Sequence, residues 1–369
     1  MTTNVTYTVL GAGHGGQALA GYLALKGYNV NLFNRTYERI NSVRMMGGIQ
    51  VEGEIQGFAQ LGIVTDNIAE AIKGAQILMV VVPAYGHRYM AENLGPVLED
   101  GQIIVLNPGR TGGALEVRQI LKEQEIKARV IIAEAQTFIF ASRITGPAQV
   151  KIFRVKNSIP VAALPAYKTV EVVQALRKAL PQFLPEDNIL KTSFNNIGAV
   201  FHPTLTILNA ARIESTHGGF DYYIEGITPA TSLILAEVDK ERVKVAEGLG
   251  IRAITARDWL YSAYDAHGRN LYEAIQNNSG YRGIQAPSTI YTRYIIEDVP
   301  MSLVPISSFG KMLGIPTPTI DNMIHLASLL HERDYWREGR TVEKLGLANL
   351  SVKEIRELVV MEEAKEVQV

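Results

Sequence analysis

The sequence contains no cysteine. This absence excludes disulfide bonds, thiolate nucleophiles and cysteine-ligated metal sites, and it fits a reducing compartment such as the cytoplasm. An excess of charge of one sign is also missing, because 36 Lys and Arg residues face 37 Asp and Glu residues, for a net charge of −1. Such a chain lacks the long-range field that attracts nucleic acid or an anionic membrane. We therefore expect a cytoplasmic protein with no metal site, no nucleic-acid partner and no membrane association.

Long hydrophobic runs are absent as well. The longest, Ile77–Ala84, is far shorter than the ~20 apolar residues that cross a bilayer. Residues Met1–Tyr7 are polar, and glycines interrupt the apolar run that follows, so we expect no signal peptide. What remains is a chain of 369 residues, 47% hydrophobic and 20% charged, which is typical of a globular protein with two domains. The charged tail after Val359 is expected to fray.

Short apolar segments alternate with helical patterns in the first part of the chain. Continuous apolar runs are typical of parallel strands that are covered on both faces. The predicted strands are Val5–Leu10, Asn29–Phe33, Ile77–Val82, Ile103–Leu106 and Val130–Ala133. The predicted helices are Gln17–Lys26, Ile68–Lys73, Tyr85–Leu98 and Ala114–Gln124. This alternation predicts an α/β Rossmann domain with a doubly wound, mostly parallel sheet over residues 1–187.

The pattern changes in the second part of the chain. Two extended segments, Val150–Val155 and Ile159–Ala163, precede a helix near Val170–Leu180, and prolines then mark a boundary. From Ser193 onward nearly every segment has helical periodicity. A helix of about 20 residues begins after Thr228, which is a good N-cap residue, with Pro229 in the first helical position. We therefore predict an all-α domain over residues 188–369.

A glycine-rich loop follows the first predicted strand and opens the first helix. Gly11 would permit the tight turn, Gly13 would let the backbone approach a pyrophosphate, and Gly16 would pack the helix against the strand. The free N–H groups of the helix N-terminus would then bind the phosphates. The alternative is a turn that binds nothing. The predicted cofactor-binding residues of this loop are Gly11, Ala12, Gly13, His14, Gly15 and Gly16.

The residues after the second strand select the cofactor. An acidic side chain there would accept the ribose hydroxyl groups of NAD, but this chain has Asn34 and Arg35, eighteen and nineteen positions past Gly16. A guanidinium can bind a 2′-phosphate through two hydrogen bonds. We therefore predict NADP(H) as the preferred cofactor, with Arg35 and Arg39 as candidate phosphate ligands. In the alternative, Arg35 is a solvated surface residue and NAD(H) binds as well.

Two further loops lie where strands end, which is where this fold binds its ligands. Val82 and Pro83 follow the Ile77 strand. Asn107, Pro108 and Gly109 follow the Ile103 strand and begin a segment that is rich in turn formers and polar donors. We predict that these loops contact the cofactor and that the second borders the nicotinamide. A plain structural turn is the alternative for each residue.

Hydride transfer to a carbonyl or imine needs a proton donor, and histidine is suited to this role near neutral pH. Of the seven histidines, His202 stands out because it lies early in the second domain beside Pro203, which should start or kink a helix. A carboxylate would orient the imidazole, and Asp298 is one candidate of many; Arg293 could bind a substrate carboxylate. Sequence spacing does not show that these residues meet, and a buried structural histidine is the alternative.

Blocks of residues along nearly the whole chain resemble the opine dehydrogenases (the octopine and nopaline dehydrogenase family), in particular the bacterial N-(1-D-carboxyethyl)-L-norvaline dehydrogenase type. Matches this long and in this order are more specific than a glycine loop alone. The blocks are Gly15–Gly16, Ala20–Gly27, Leu106–Gly109, Thr111–Glu116, His202–Pro203, Leu208–Arg212, Tyr223–Pro229, Tyr281–Ile284, Thr292–Tyr294, Glu297–Val299 and Glu338–Gly346.

The resemblance implies a reductive condensation of an L-amino acid or amine with a 2-oxo acid such as pyruvate, through an imine that NAD(P)H reduces. It implies that His202 is the general acid and base, that Asp298 orients it, and that Arg293 holds a substrate carboxylate. Tyr222 and Asn209 are further candidate substrate-binding residues. The resemblance also implies a homodimer through the helical domain.

One departure from the family and two alternatives remain. The N-(1-D-carboxyethyl)-L-norvaline dehydrogenase type has an acidic residue where this chain has Asn34 and Arg35, which supports NADP(H), with NAD(H) still possible. Ketopantoate reductases and glycerol-3-phosphate dehydrogenases share the expected architecture, but they generally have a lysine where this chain has His202. A non-catalytic NADP(H)-binding sensor would have no use for His202, Asp298 and Arg293 together.

Overall fold

A computed structural model describes residues 5–361 of the protein. Contacts between residues divide them into two compact units. Of the described residues, the first unit contains 5–109, Gly113–Thr192 and 353–361, and the second contains Arg110–Gly112 and Ser193–Val352. The sequence-based boundary after residue 187 therefore lies five positions earlier than the change of unit at Thr192. Most of the charged tail after Val359 lies outside the described residues.

The first 185 residues alternate strands and helices, as predicted. The strands are β1 (Thr6–Leu10), β2 (Asn29–Phe33), β3 (Gly48–Gly53), β4 (Gly57–Gln60), β5 (Val64–Thr65), β6 (Ile77–Val80), β7 (Ile103–Leu106), β8 (Ile131–Ala135), β9 (Phe140–Gly146), β10 (Gln149–Val155), β11 (Ile159–Leu164) and β12 (Phe183–Pro185). The helices are α1 (His14–Leu25), α2 (Asn41–Met46), α3 (Ile68–Ile72), α4 (His87–Leu94), α5 (Gly113–Glu123) and α6 (Thr169–Arg177).

The remaining described residues are helical or irregular. The helices are α7 (Ile189–Phe194), α8 (Gly198–Leu208), α9 (Ala210–Thr216), α10 (Pro229–Gly248), α11 (Ala256–Tyr264), α12 (Leu271–Gln276), α13 (Arg293–Ile296), α14 (Val304–Leu313), α15 (Pro318–His331), α16 (Tyr335–Glu338) and α17 (Val352–Met361). A π-helical turn, Val299–Leu303, joins α13 to α14.

The strands of the first unit form a large sheet with the order β12-β11-β8-β7-β6-β1-β2-β5 among the described residues. All neighbours are parallel except β11, which runs antiparallel to β8. Strand β1 lies between β2 and β6, so the strand order reverses direction beside it. In a doubly wound sheet this is the switch point where ligands bind. The predicted fold class, a Rossmann domain followed by a helical domain, is confirmed.

A second, smaller sheet was not predicted. It has the order β4-β3-β10-β9, and helix α1 packs against it. Only the β10 segment was expected to be extended. Strands β3 and β4 are short, and their sequences alternate buried residues such as Ile49, Val51 and Ala59 with polar ones for only a few positions. Periodicity over so few residues does not separate a strand from a loop.

The second unit contains the long helix that was predicted after Thr228. Helix α10 begins at Pro229 and ends at Gly248, and the Thr228 side chain accepts a hydrogen bond from Thr231 N in a capping box. The predicted helix start at Pro203 was wrong, because α8 begins at Gly198 and continues through Pro203 to Leu208. Proline removes one backbone hydrogen bond there, but Pro203 is buried, and packing in the unit overrides the local preference.

Helix α10 also caps a neighbouring helix. The buried carboxylate of Glu241 accepts hydrogen bonds from Thr319 N and Ile320 N, both at 2.9 Å, in the first turn of α15. Glu241→Ala would leave two buried N–H groups without an acceptor, so we expect the free energy of unfolding to fall by about 2–4 kcal/mol. Urea unfolding measures this loss.

The matched control is Glu237→Ala on the same helix, where the carboxylate is exposed and pairs with Lys240. This variant should change the free energy of unfolding by less than about 0.5 kcal/mol. Equal losses in the two variants would contradict the capping role of Glu241.

Candidate active site

The glycine-rich loop connects β1 to α1 at the switch point of the large sheet. Gly11 has φ +115°, and a Cβ atom there would lie 2.4 Å from the carbonyl oxygen of Val81, so only glycine fits. A Cβ atom on Gly16 would lie 1.7 Å from the carbonyl oxygen of Gly11. Val9 of β1 is also near, with its Cγ1 atom 3.7 Å from that position. Gly16 therefore lets the first turn of α1 pack against the loop and the end of the strand, as expected.

The residues of this loop fit a dinucleotide phosphate. Gly13 is the N-cap of α1, its position bears no side chain, and a Cβ atom there would meet no atom within 4 Å. The first N–H groups of α1 thus face an accessible side of the loop, as anion binding requires. The side chain of His14 is engaged elsewhere, because its Nδ1 accepts a hydrogen bond from Ile144 N in β9. This contact fixes one edge of the His14 ring beside β9.

Asn34 and Arg35 extend from the end of β2 toward the same loop. The Asn34 side chain accepts a hydrogen bond from Ala12 N at 3.1 Å and donates one to the carbonyl oxygen of Thr36. Arg35 is exposed, and its guanidinium lies 5.1 Å from the ring centroid of Tyr89. Asn34 therefore holds the loop, while Arg35 is accessible to a ligand.

A cavity of about 350 Å³ adjoins this loop in the first unit. It is lined by Ala12, Gln17, Glu38, Arg39, Ser42, Ile144 and residues 146–148. Both signs of charge border it, because Arg39 and Glu38 are neighbours on its wall. The cavity therefore offers a cation and an anion close to the predicted phosphate loop.

The other predicted cofactor loops lie at the same edge of the sheet. Val82 follows β6, and its side chain would be 2.8 Å from a Cβ atom on Gly11. Asn107 N donates to the carbonyl oxygen of Val80, which ties the end of β7 to the end of β6. Gly109 lies against the buried Glu134, whose Oε2 would be 2.4 Å from a Cβ atom there. The structure thus brings the three loops together.

In the second unit, the structure brings His202 and Asp298 together. The Nδ1 atom of His202 on α8 lies 2.8 Å from Oδ2 of Asp298, which immediately precedes the π-helical turn. Asp298 is fully buried, and the His202 side chain is 16% exposed. The ring of Tyr294 stacks on His202 with 4.2 Å between centroids. One edge of the imidazole is therefore oriented by a carboxylate, and the ring plane is fixed by an aromatic neighbour.

The surroundings of this pair shift both pKa values. Burial lowers the pKa of His202, and Arg110 and Arg293 lower it further, although Asp298 acts in the opposite direction. Burial alone would raise the pKa of Asp298, but Arg110 and His202 outweigh burial and bring it below its ordinary value. The ligand-free pair therefore consists of a neutral imidazole and an ionised carboxylate at neutral pH.

The other predicted substrate residues differ in accessibility. Arg293 is 61% exposed, and its Nη1 atom is 4.0 Å from Oε2 of the buried Glu297. Tyr222 is fully buried, with its hydroxyl group 2.7 Å from Thr206 Oγ1 and 3.0 Å from the carbonyl oxygen of His202. The Asn209 side chain donates to the carbonyl oxygens of Leu205 and Gly226. Arg293 is thus accessible to substrate, whereas Tyr222 and Asn209 hold the backbone around His202.

Sequence reasoning missed one residue of this group, Arg110. Its buried guanidinium contacts Asp298, Glu297 and Asn196. The only signal in the sequence was its place one position after the predicted cofactor residue Gly109, and nothing in that pattern indicated a partner almost two hundred residues away.

Comparisons with known proteins identify the family. Residues 185–331 match the family model for the α-helical domain of NAD/NADP octopine/nopaline dehydrogenases, and residues 6–133 match that for the N-terminus of NAD-dependent glycerol-3-phosphate dehydrogenase. An opine dehydrogenase from Arthrobacter sp. (strain 1C) is 41% identical over 360 residues, which cover 97% of this chain and 100% of the relative. The chain belongs to the opine dehydrogenase family.

Solved structures show the same fold across this family. A structure of octopine dehydrogenase with NADH and L-arginine has a TM-score of 0.80 at 21% identity and covers 98% of this chain and 100% of its own. A structure of yersinopine dehydrogenase with bound NADP⁺ has a TM-score of 0.72 at 16% identity and covers 97% of this chain and 98% of its own. Family membership makes the chain an NAD(P)-dependent oxidoreductase that acts on CH–NH groups and condenses an amino acid reductively with a 2-oxo acid.

Two further kinds of feature are absent from the described part of the chain. Between residues 5 and 361, no group of three or more His, Asp or Glu side chains could hold a metal ion. Over the same residues, no helix has both the length and the apolar character of a membrane span.

Proposed function

We propose that His202 transfers the proton of the condensation, that Asp298 orients it, and that Arg293 binds the carboxylate of the 2-oxo acid, with pyruvate as the model substrate. The observation that carries this proposal is the 2.8 Å contact between His202 Nδ1 and Asp298 Oδ2. Arg293 supports it, because it is an exposed cation five residues before Asp298 in the chain. A guanidinium suits a carboxylate because two N–H groups can donate in parallel.

The contact with Asp298 determines which atom of His202 exchanges a proton. Nδ1–H donates to the carboxylate, so Nε2 carries the lone pair of the neutral ring. The substrate amine adds to the carbonyl carbon, water leaves, and the imine then gains a hydride on carbon and a proton on nitrogen. Reduced nicotinamide supplies the hydride when it is bound. Nε2 of His202 supplies the proton, and in the reverse direction it accepts it.

The pH dependence follows from this assignment. The proton donor must be imidazolium, and burial lowers the pKa of His202 in the free protein. Substrate carboxylate at Arg293 adds a negative charge near the ring and favours imidazolium. Amine formation should therefore slow as the pH rises through the pKa of His202 in the substrate complex, and opine oxidation should slow as the pH falls through it.

We also propose that NADP(H) is the preferred cofactor and that NAD(H) can bind. Arg35 and Arg39 support this, since neither takes part in an ion pair within residues 5–361. Glu38 opposes it, because its carboxylate shares the cavity with Arg39 and would repel a 2′-phosphate. The two arginines outnumber the single carboxylate, and an arginine can bind phosphate through two hydrogen bonds.

The experiment that tests the proposed reaction measures NADPH and NADH oxidation with pyruvate and each amino acid in turn, with product masses confirmed. We expect oxidation only when both substrates are present, and a product mass equal to amino acid plus pyruvate minus one oxygen atom. Oxidation with a 2-oxo acid alone would favour a ketopantoate reductase-like activity. Binding of the dinucleotide without turnover in any mixture would favour a sensor.

We further propose a cytoplasmic homodimer that assembles through the helical unit. The absence of cysteine supports the reducing compartment. Large apolar side chains exposed on the helical unit support an interface, namely Leu233, Tyr291 and Leu329, which are 73%, 64% and 62% exposed. Light scattering after gel filtration tests this proposal, and a mass near the 40.6 kDa of one chain would contradict it.

A further inference from the structure

Arg110 is a buried cation at the centre of the predicted proton-transfer group. Its side chain is 8% exposed, and its Nη1 atom lies 3.0 Å from Asp298 Oδ1 and 3.1 Å from Asn196 Oδ1. Its Nε atom lies 3.4 Å from Glu297 Oε1. One guanidinium thus contacts two adjacent buried carboxylates and a buried amide.

These contacts divide the two oxygens of Asp298 between two partners. Oδ1 faces Arg110, and Oδ2 faces His202. The contact with Oδ1 is an ion pair that lacks the alignment of a hydrogen bond. Because a carboxylate rotates about its Cβ–Cγ bond, a cation at Oδ1 fixes the direction in which Oδ2 points.

The same contacts continue toward the predicted carboxylate ligand. Oε1 of Glu297 faces Arg110, and Oε2 faces Arg293. His202, Asp298, Arg110, Glu297 and Arg293 therefore form a chain in which each charged group neighbours groups of opposite sign. Two adjacent buried carboxylates would be costly without the cation between them, since removal of one partner of a buried ion pair is strongly destabilising.

The backbone is built to admit this guanidinium. A Cβ atom on Gly198 would lie 2.8 Å from Arg110 Nη1 and 3.2 Å from His202 Cε1. Any other residue at this first position of α8 would push against the arginine and crowd the histidine. Gly198 thus leaves space for both side chains at once.

We propose that Arg110 is a positioning residue of this enzyme, which aims Asp298 at His202 and links that pair through Glu297 to Arg293. The proposal rests on the roles proposed above for His202 and Arg293. Arg110 acts through Asp298 and Glu297, and no contact with substrate is required of it.

The proposal has a consequence for the protonation of His202. The charged groups that act on this ring are Asp298, which favours the protonated form, and Arg110 and Arg293, which oppose it; Tyr294 stacks on its face. Removal of the Arg110 charge should raise the pKa of His202. If Arg110 served the fold alone, its replacement would change the amount of folded protein and leave the pKa of His202 unchanged.

The test uses Arg110→Met, Arg110→Lys and the double variant Arg110→Met/Glu297→Gln in the full chain. The double variant also removes the buried negative charge of Glu297, which Arg110→Met would leave without the neighbouring guanidinium. NMR of protein with ¹³C-labelled histidine follows the titration of His202 without cofactor, and the His202→Asn spectrum assigns its signal. The matched control is Arg269→Gln, which removes an exposed arginine that pairs with Glu273 in the same unit.

We expect Arg110→Met and the double variant to raise the pKa of His202 and to lower kcat by about 100-fold, as misplacement of a reacting group does. Arg110→Lys keeps the charge without the planar fork, so it should retain the wild-type titration and lose part of kcat. Arg269→Gln should change neither. If Arg110→Met does not fold, the kcat and the His202 titration of the double variant test the proposal instead. If neither variant folds, an unchanged kcat in Arg110→Lys would overturn the proposal.

Unchanged titration of His202 with unchanged kcat in a folded Arg110→Met or double variant would also overturn it. Failure of the proposed catalytic roles is a separate result. It would appear as activity that persists in His202→Asn, whatever the Arg110 variants do.

Discussion

Replacement of His202 by alanine should lower kcat for amine formation by about two to four orders of magnitude, since loss of a general acid has effects of this size. The variant removes Nε2, which we propose to exchange the proton, and leaves Asp298 buried beside Arg110. The affinity for NADPH should barely change, because the predicted cofactor residues belong to the first unit and His202 to the second. Steady-state kinetics and fluorescence titration with NADPH measure the two quantities.

The matched control for this variant is His325→Ala, which removes an exposed histidine from α15. It should leave kcat and NADPH affinity unchanged. The pH profile gives a second check, because the limb assigned to His202 should disappear in His202→Ala and persist in the control. Retention of most of the activity by His202→Ala would remove this residue from the mechanism.

Replacement of Arg35 by aspartate should lower the ratio of kcat/KM for NADPH to that for NADH by about 100-fold, because it removes a charge-assisted hydrogen bond and adds a repulsive charge. Arg35 is exposed, and its guanidinium lies 5.1 Å from the ring centroid of Tyr89. The new carboxylate would stand where NAD-binding relatives of this fold accept the ribose hydroxyl groups. Initial rates with both cofactors measure the ratio.

The same change of charge at Arg44 is the control for this prediction. Arg44 is exposed on α2 beside Tyr37, outside the cavity that adjoins the phosphate loop. Arg44→Asp should leave the cofactor ratio within about two-fold of wild type, since Arg44 does not line that cavity and salt screens exposed charges that make no direct contact. Equal effects of the two substitutions would mean that net charge, and not a phosphate contact, determines the preference.

The parts of the fold that follow from local patterns were predictable. Apolar runs such as Ile103–Leu106 indicated buried parallel strands, and the structure has β7 at those residues. Thr228 and Pro229 indicated a helix N-terminus, with an N-cap residue followed by proline at the first helical position, and α10 begins there. In both cases the signal and the element occupy the same few residues, so no distant contact was needed to recognise them.

The parts that depend on distant contacts were not predictable from residues alone. Asp298 was one candidate carboxylate of many, and the family resemblance, rather than spacing, singled it out. Arg110 had no sequence signal, because its partners Asn196, Glu297 and Asp298 are 86 to 188 positions away. Pro203 indicated a helix start on local grounds, yet the packing of α8 kept the helix continuous.

Because of residues Arg110–Gly112, the helical half of this enzyme is not encoded by one continuous stretch of sequence. These residues belong to the helical unit, where Thr111 N donates to the carbonyl oxygen of Met301 and Gly112 N donates to Ser193 Oγ. A helical fragment that begins at residue 193 would lack this tripeptide. Its Asp298 and Glu297 carboxylates would then lack the Arg110 guanidinium. A chimera that joins the helical half of one relative to the nucleotide-binding half of another must therefore also take residues 110–112 from the relative that supplies the helical half. Recombination at a single crossover point would separate this tripeptide from the helices that it contacts.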